Sequence, residues 1–118
     1  MKLAIIGSRN FTDYHFFQQS ICKKFIIPYI GCIVSGGAKG TDTLAERFAC
    51  VHEIPTMIFL PEWDVYGKRA GFIRNEKIIK YADEVIAFWD GKSRGTKSSI
   101  DLAKKECKPM YIIYFEEK

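Results

Sequence analysis

The chain has 118 residues, 47% hydrophobic and 27% charged, with 18 Lys and Arg against 14 Asp and Glu for a formal net charge of +4. That size and apolar content fit a single domain over 1–118 with a core of its own. No apolar run approaches a membrane span, and Met1 to Ile6 is too short for a signal peptide before Gly7-Ser8-Arg9-Asn10 cuts it off, so a cytoplasmic protein away from membranes is expected.

The positive charge is mixed with negative and clusters only at Lys23-Lys24, Lys68-Arg69 and Lys104-Lys105. Nucleic-acid binders concentrate such charge into a stripe, so a small anionic ligand is the expected partner and nucleic acid is not. Cys22, Cys32, Cys50 and Cys107 lack C-x-x-C spacing and lie in or beside apolar stretches, which predicts buried, reduced thiols.

In chain order, Leu3 to Ile6 predicts a buried strand. A helix follows from about Asp13 to Ile27, with Phe16, Phe17, Ile21 and Phe25 at helical spacing. Cys32-Ile33-Val34 is a second strand. Leu44, Ala45, Phe48 and Ala49 form the apolar face of a second helix, with Thr43-Leu44-Ala45-Glu46 as a candidate capping box. Thr56 to Leu60 is a third strand, Pro61 to Gly71 an irregular stretch, and Phe72 to Lys80 a helix. Val85 to Phe88, Ser98 to Glu106 and Met110 to Phe115 complete the series as strand, helix and strand. Strands that alternate with helices, each apolar throughout, predict a small Rossmann-like doubly wound α/β domain. About five mostly parallel strands would carry helices on both faces.

Three strands end in turns of small residues that lead into helices. These are Gly7-Ser8-Arg9, Ser35-Gly36-Gly37-Ala38-Lys39-Gly40-Thr41-Asp42 and Ser93-Arg94-Gly95-Thr96-Lys97-Ser98. Such junctions gather unpaired N–H groups and a helix dipole at one point, which suits a phosphate. All three fall on the carboxyl edge of the sheet, where ligands of this architecture sit. The standard motifs are missing. Gly91-Lys92-Ser93 resembles the end of a Walker A loop, but Ile86 stands at its first glycine, and the first turn lacks the later glycines of the dinucleotide fingerprint. There is no H-E-x-x-H, and His15 and His52 are far apart without an acidic cluster, so neither a metal nor a cofactor is expected.

Together with Ala45-Glu46, Trp63-Asp64, Gly67-Lys68, Ala70-Gly71, Arg74-Asn75, Ala82-Asp83, Ala87-Phe88-Trp89-Asp90-Gly91 and Gly95-Thr96, these turns resemble the YspA-type branch of the SLOG superfamily. That superfamily also holds the DprA/Smf DNA-processing proteins and the Lonely-guy phosphoribohydrolases. The likeness runs from Lys2 to Ile113. It implies a Rossmann-like sheet that binds nucleotides or their derivatives, with frequent homo-oligomers, and leaves the activity open. Lonely-guy enzymes pair an arginine with a glutamate three residues after a Gly-Thr. Arg74 matches the arginine, but Ser99 stands in the glutamate's place, and Asp101 is turned about 200° away along the helix.

The expected ligand or phosphate contacts are Gly7, Ser8, Arg9, Ser35, Gly36, Gly37, Gly40, Thr41, Asp42, Trp63, Lys68, Arg74, Asn75, Gly95, Thr96 and Ser98. Several have a plainer role open to them: the glycines as tight turns, Thr96, Ser98 and Asp42 as caps, Trp63 as core. Asp83 and Asp90 read as turn residues. The leading expectation is a stand-alone sensor or sequestering protein for an ADP-ribose-like or cyclic nucleotide. A nucleotide N-glycosidic hydrolase with a rearranged acid, drawing on Arg74, Asp42 or Asp64, is the alternative, and single-stranded DNA binding in the manner of DprA is a weaker third.

Overall fold

Five parallel strands, in the order Thr56–Ile58, Cys32–Ser35, Lys2–Gly7, Glu84–Trp89 and Met110–Tyr114, form one sheet in the computed structural model, which describes residues 1–116. The elements are β1 (Lys2–Gly7), α1 (Tyr14–Lys24), β2 (Cys32–Ser35), α2 (Thr41–Val51), β3 (Thr56–Ile58), a one-turn α3 (Trp63–Tyr66), α4 (Ala70–Tyr81), β4 (Glu84–Trp89), α5 (Arg94–Lys105) and β5 (Met110–Tyr114). Short 3-10 turns occupy Ile27–Tyr29 and Gly67–Arg69. The expected parallel α/β sheet with helices on both faces is present.

The central strand explains the unbroken apolar runs. Leu3 and Ile5 point to one face, Ala4 and Ile6 to the other, and all four are buried. The first face is aromatic: Phe17 of α1, Phe48 of α2 and Phe88 of β4 pack with Phe11, whose ring stacks on Phe88 at 5.1 Å between centroids. The second face is built from smaller groups, Val34, Val85 and Ala87 against Ile78 and Ile79 of α4 and Ile100 and Ala103 of α5. Strand order runs one way from β1 to β3 and the other way from β4 to β5. Right-handed crossovers therefore put α1 and α2 on one face and α4 and α5 on the opposite one. The order reverses between β1 and β4, where five residue pairs from Leu3↔Glu84 to Gly7↔Phe88 hold the strands in register.

Several boundaries differ from expectation for local reasons. Asp13 caps α1 by accepting the Phe16 N–H at 3.1 Å, but the helix stops at Lys24 because Phe25 is extended and Pro28 shapes the next turn. Strand β3 ends at Ile58 and β5 at Tyr114. No capping box forms at Thr43: α2 begins at Thr41 behind Gly40, and the Thr43 hydroxyl donates to Ala38 O at 3.2 Å. The stretch Pro61 to Gly71 is largely helical, and α4 starts at Ala70. Helix α5 starts one turn early, at Arg94, because Asp90 Oδ1 accepts the N–H groups of Lys92 and Ser93 and turns the chain there. The cysteines are not buried: Cys22 and Cys50 are exposed beside the inward-facing Ile21 and Ala49, Cys107 is exposed in the turn after α5, and Cys32 is half-buried at the margin of the second core face.

Candidate functional site

The three glycine turns meet at the carboxyl edge but do different things. Ser8 N–H donates to Phe88 O at 3.0 Å, which ties the end of β1 to β4. Ser8 O accepts both the N–H of Thr41 at 3.2 Å and its hydroxyl at 2.9 Å. Gly40, at φ +70°, is held against the backbone of Arg9, where a Cβ would collide. The second turn is thus stitched to the first, and Thr41, fully buried, has neither donor free for a ligand. The N-terminus of α2 also carries its own anion, for Asp42 sits in its first turn and accepts the Ala38 N–H at 3.0 Å. The second junction is therefore not an open phosphate cradle. The third is open: the first bond of α5 runs from Lys97 N–H to Ser93 O at 3.1 Å, with Arg94, Gly95 and Thr96 ahead of it.

A cavity of about 470 Å³ opens at the β1/β4 reversal. The β1 turn gives it Gly7, Ser8, Arg9 and Asn10. Asp42 and Ala38 come from the α2 junction, Arg74 and Asn75 from α4, and Asp90, Ser93, Gly95, Thr96 and Ser99 from the β4–α5 segment. Its walls mix donors and acceptors. Ser8 Oγ is buried there without a hydrogen-bond partner among the described residues.

Beside it lies a smaller hollow of about 280 Å³ that shares Arg9, Ala38 and Arg74. Lys39, Gly36, Gly37, Pro61 and Trp63 complete it. Three cations and an indole line this hollow and no carboxylate does. Trp63 is 54% exposed, so its ring is surface, not core.

Arg74 joins the two. It is only 7% exposed; Nη1 donates to Gly36 O at 2.6 Å and Nε to Asn75 Oδ1 at 2.8 Å. Burial lowers its pKa, Asp42 opposes that shift, and Arg9 adds to it. For Asp42, burial raises the pKa above the ordinary carboxylate value, against the Ala38 N–H, Arg74, Ser35 and Arg9, which favour its charged form. Ser35 Oγ stands near Asp42 without a well-formed hydrogen bond. At Asp90 the N–H groups of Ser93 and Lys92 pull the pKa down.

Most of the expected contacts therefore converge, and a few do not. Ser35 is wholly buried behind the site. Ser98 faces the opposite side of α5, while Ser99, at the glutamate's position, faces the cavity and is buried. Lys68 and Asp64 are exposed and line neither hollow. Asp101 is also turned away and pairs with Lys97 at 2.7 Å. The sequence reading missed Asn10, Lys39, Asp90, Ser93 and Ser99 as lining residues. Lys39 and Ser93 lie inside quoted turns, so their position was the available signal.

The family model for DNA recombination-mediator protein A matches residues 1–69. The Gene 61 protein of Mycobacterium phage D29 is 35% identical over 124 residues, covering 99% of this chain and 98% of that protein. Among solved structures, DNA processing protein A from Helicobacter pylori, which has a single-stranded DNA binding mode, superposes with a TM-score of 0.72 at 27% identity over 95% of this chain. DprA from Streptococcus pneumoniae has the same fold, with a TM-score of 0.77 at 22% identity over 98% of the chain. The chain spans 64% and 50% of those two proteins. These matches overturn the expectation that nucleic acid is an unsuitable partner. That expectation rested on scattered charge along the sequence, whereas Arg9, Lys39 and Arg74 come from three segments and meet only in the fold.

Proposed function

The chain belongs to the DNA recombination-mediator protein A family, and from that membership we propose that it binds single-stranded DNA along the carboxyl edge of its sheet. The observation that carries the reading is the smaller hollow, which Arg9, Lys39 and Arg74 line together with exposed Trp63 and, among the described residues, no carboxylate. Phosphate neutralisation and base stacking are the two terms that hold single strands without regard to sequence. The larger cavity then takes the adjoining sugar or base, whose donors and acceptors match the mixed groups of Asn10, Asn75, Asp42 and Ser99. Fluorescence anisotropy with a labelled oligothymidylate tests this. Binding that weakens with salt and with Arg9→Gln is expected; a flat titration at low salt refutes it.

A second reading is that the larger cavity holds a free nucleotide derivative, as the likeness to the YspA-type branch implies. Its volume and the unpartnered Ser8 hydroxyl favour this. A mononucleotide that competes with the oligonucleotide at equal phosphate concentration supports it. In a hydrolytic version Asp42 is the carboxylate left in the cavity beside Arg74, since Asp90 is fixed in its turn. Release of free base from a nucleotide, abolished by Asp42→Asn, is the sign of that chemistry.

A further inference from the structure

The outer side of α5 carries another hollow, of about 630 Å³, between the β4–α5 turn and the outward faces of α4 and α5. Lys92, Arg94, Lys97 and Lys105 line it against a single carboxylate, Asp101. Asp101 is taken by Lys97 at 2.7 Å, so Lys92, Arg94 and Lys105 have no salt-bridge partner among the described residues. The hollow is also aromatic. Phe72 is 47% exposed, and Trp89 donates Nε1–H to Ser93 O at 3.0 Å, which satisfies the indole's polar atom and fixes its ring. The first turn of α5 is the ridge between this hollow and the cavity at the carboxyl edge: Gly95 and Thr96 face the cavity, Arg94 and Lys97 the hollow. A strand crossing that ridge passes from a cavity where Arg9 and Arg74 stand with Asp42 and Asp90 to a hollow where cations predominate.

We propose that a single-stranded nucleic acid seated at the carboxyl edge continues over the first turn of α5 into this hollow. Lys92, Arg94 and Lys105 meet its phosphates there, and Phe72 and Trp89 lie against its bases. The inference rests on the single-stranded DNA reading above. Each phosphate contact adds about 0.7 to the slope of log affinity against log salt for single strands, so three add about 2.1.

The test compares the intact protein with a Lys92→Gln/Arg94→Gln/Lys105→Gln variant, using oligothymidylates of about four and about twelve nucleotides. A Lys23→Gln/Lys24→Gln/Lys80→Gln variant, altered at exposed positions outside the hollow, removes the same three charges and controls for net charge. The triple variant is expected to match the intact protein on the short strand. On the long one it is expected to bind more weakly with a slope smaller by about 2, so that raising salt fourfold costs it roughly 20-fold less affinity. Equal slopes on the long strand overturn the proposal while leaving the carboxyl-edge reading intact. Failure of the intact protein to bind either strand overturns both. A change in sedimenting mass with an unchanged slope makes the hollow a contact between copies of the chain and also overturns it.

Discussion

Gly36→Ala is expected to change sign with its neighbour. An added Cβ at Gly36 would stand 2.7 Å from Arg74 Nη1 and 3.0 Å from its Cζ, and the three nearest atoms all belong to Arg74. The guanidinium cannot simply swing aside, because it donates to Gly36 O and to Asn75 Oδ1. Either the overpacking persists or those charge-assisted bonds break, and each costs about 1–3 kcal/mol. Gly36 does not have a positive φ. With Arg74→Ala in place, the obstacle is gone, and the alanine should stabilise the fold by about 0.4–1 kcal/mol through the unfolded chain. The coupling energy is therefore at least about 1.5 kcal/mol. Urea unfolding of the four proteins of the cycle measures it from midpoints at constant m. An equal cost for Gly36→Ala in both backgrounds refutes the close packing of Gly36 on Arg74.

Trp63→Ala should weaken single-stranded DNA binding by about 1–3 kcal/mol, roughly 5- to 150-fold, with little change in melting temperature because the ring is surface; unchanged affinity would remove it as a stacking platform. Arg9→Gln and Lys39→Gln should each lower the salt slope by about 0.7, read from anisotropy at several salt concentrations, and a slope that stays constant would place the phosphates elsewhere. Burial raises the Asp42 pKa in the folded state, so its stabilising contribution is full below the unfolded value and is lost as pH rises through the folded one. Asp42→Asn should accordingly raise the melting temperature at neutral pH, with the gain fading under acid, whereas a loss at neutral pH would mean that the ion pairing with Arg74 outweighs desolvation. Asp83, whose pKa is lowered chiefly by accepting the Lys2 N–H at 2.8 Å, acts in the opposite sense: its contribution is present above the unfolded pKa and lost as pH falls through the folded one. Asp83→Asn should therefore cost stability near pH 7 and little in acid, as thermal melts across that range would reveal.

The α/β order, the parallel sheet and the edge on which the turns gather are legible in the residues alone. Each of these depends on local periodicity and on chain direction: β1 from Leu3 to Ile6 and β4 from Val85 to Phe88 are apolar throughout because both of their faces are covered, and each of the three glycine turns follows a strand. The likeness to the superfamily that holds the DprA proteins was also legible, though not the branch, since motif order survives without coordinates. What each turn does was decided only by tertiary structure. Thr41 reads like a phosphate ligand beside its glycines, yet its hydroxyl and N–H both go to Ser8 O, 33 residues earlier. Ser98 and Ser99 are neighbours in the chain, but the helix start at Arg94 sets which of them faces the cavity. The expectation against nucleic acid has the same origin. Charge summed along the chain carries no position, whereas the attraction between charge and phosphate depends on distance, and folding brings Arg9, Lys39 and Arg74 around one hollow that Asp42 and Asp90 do not line.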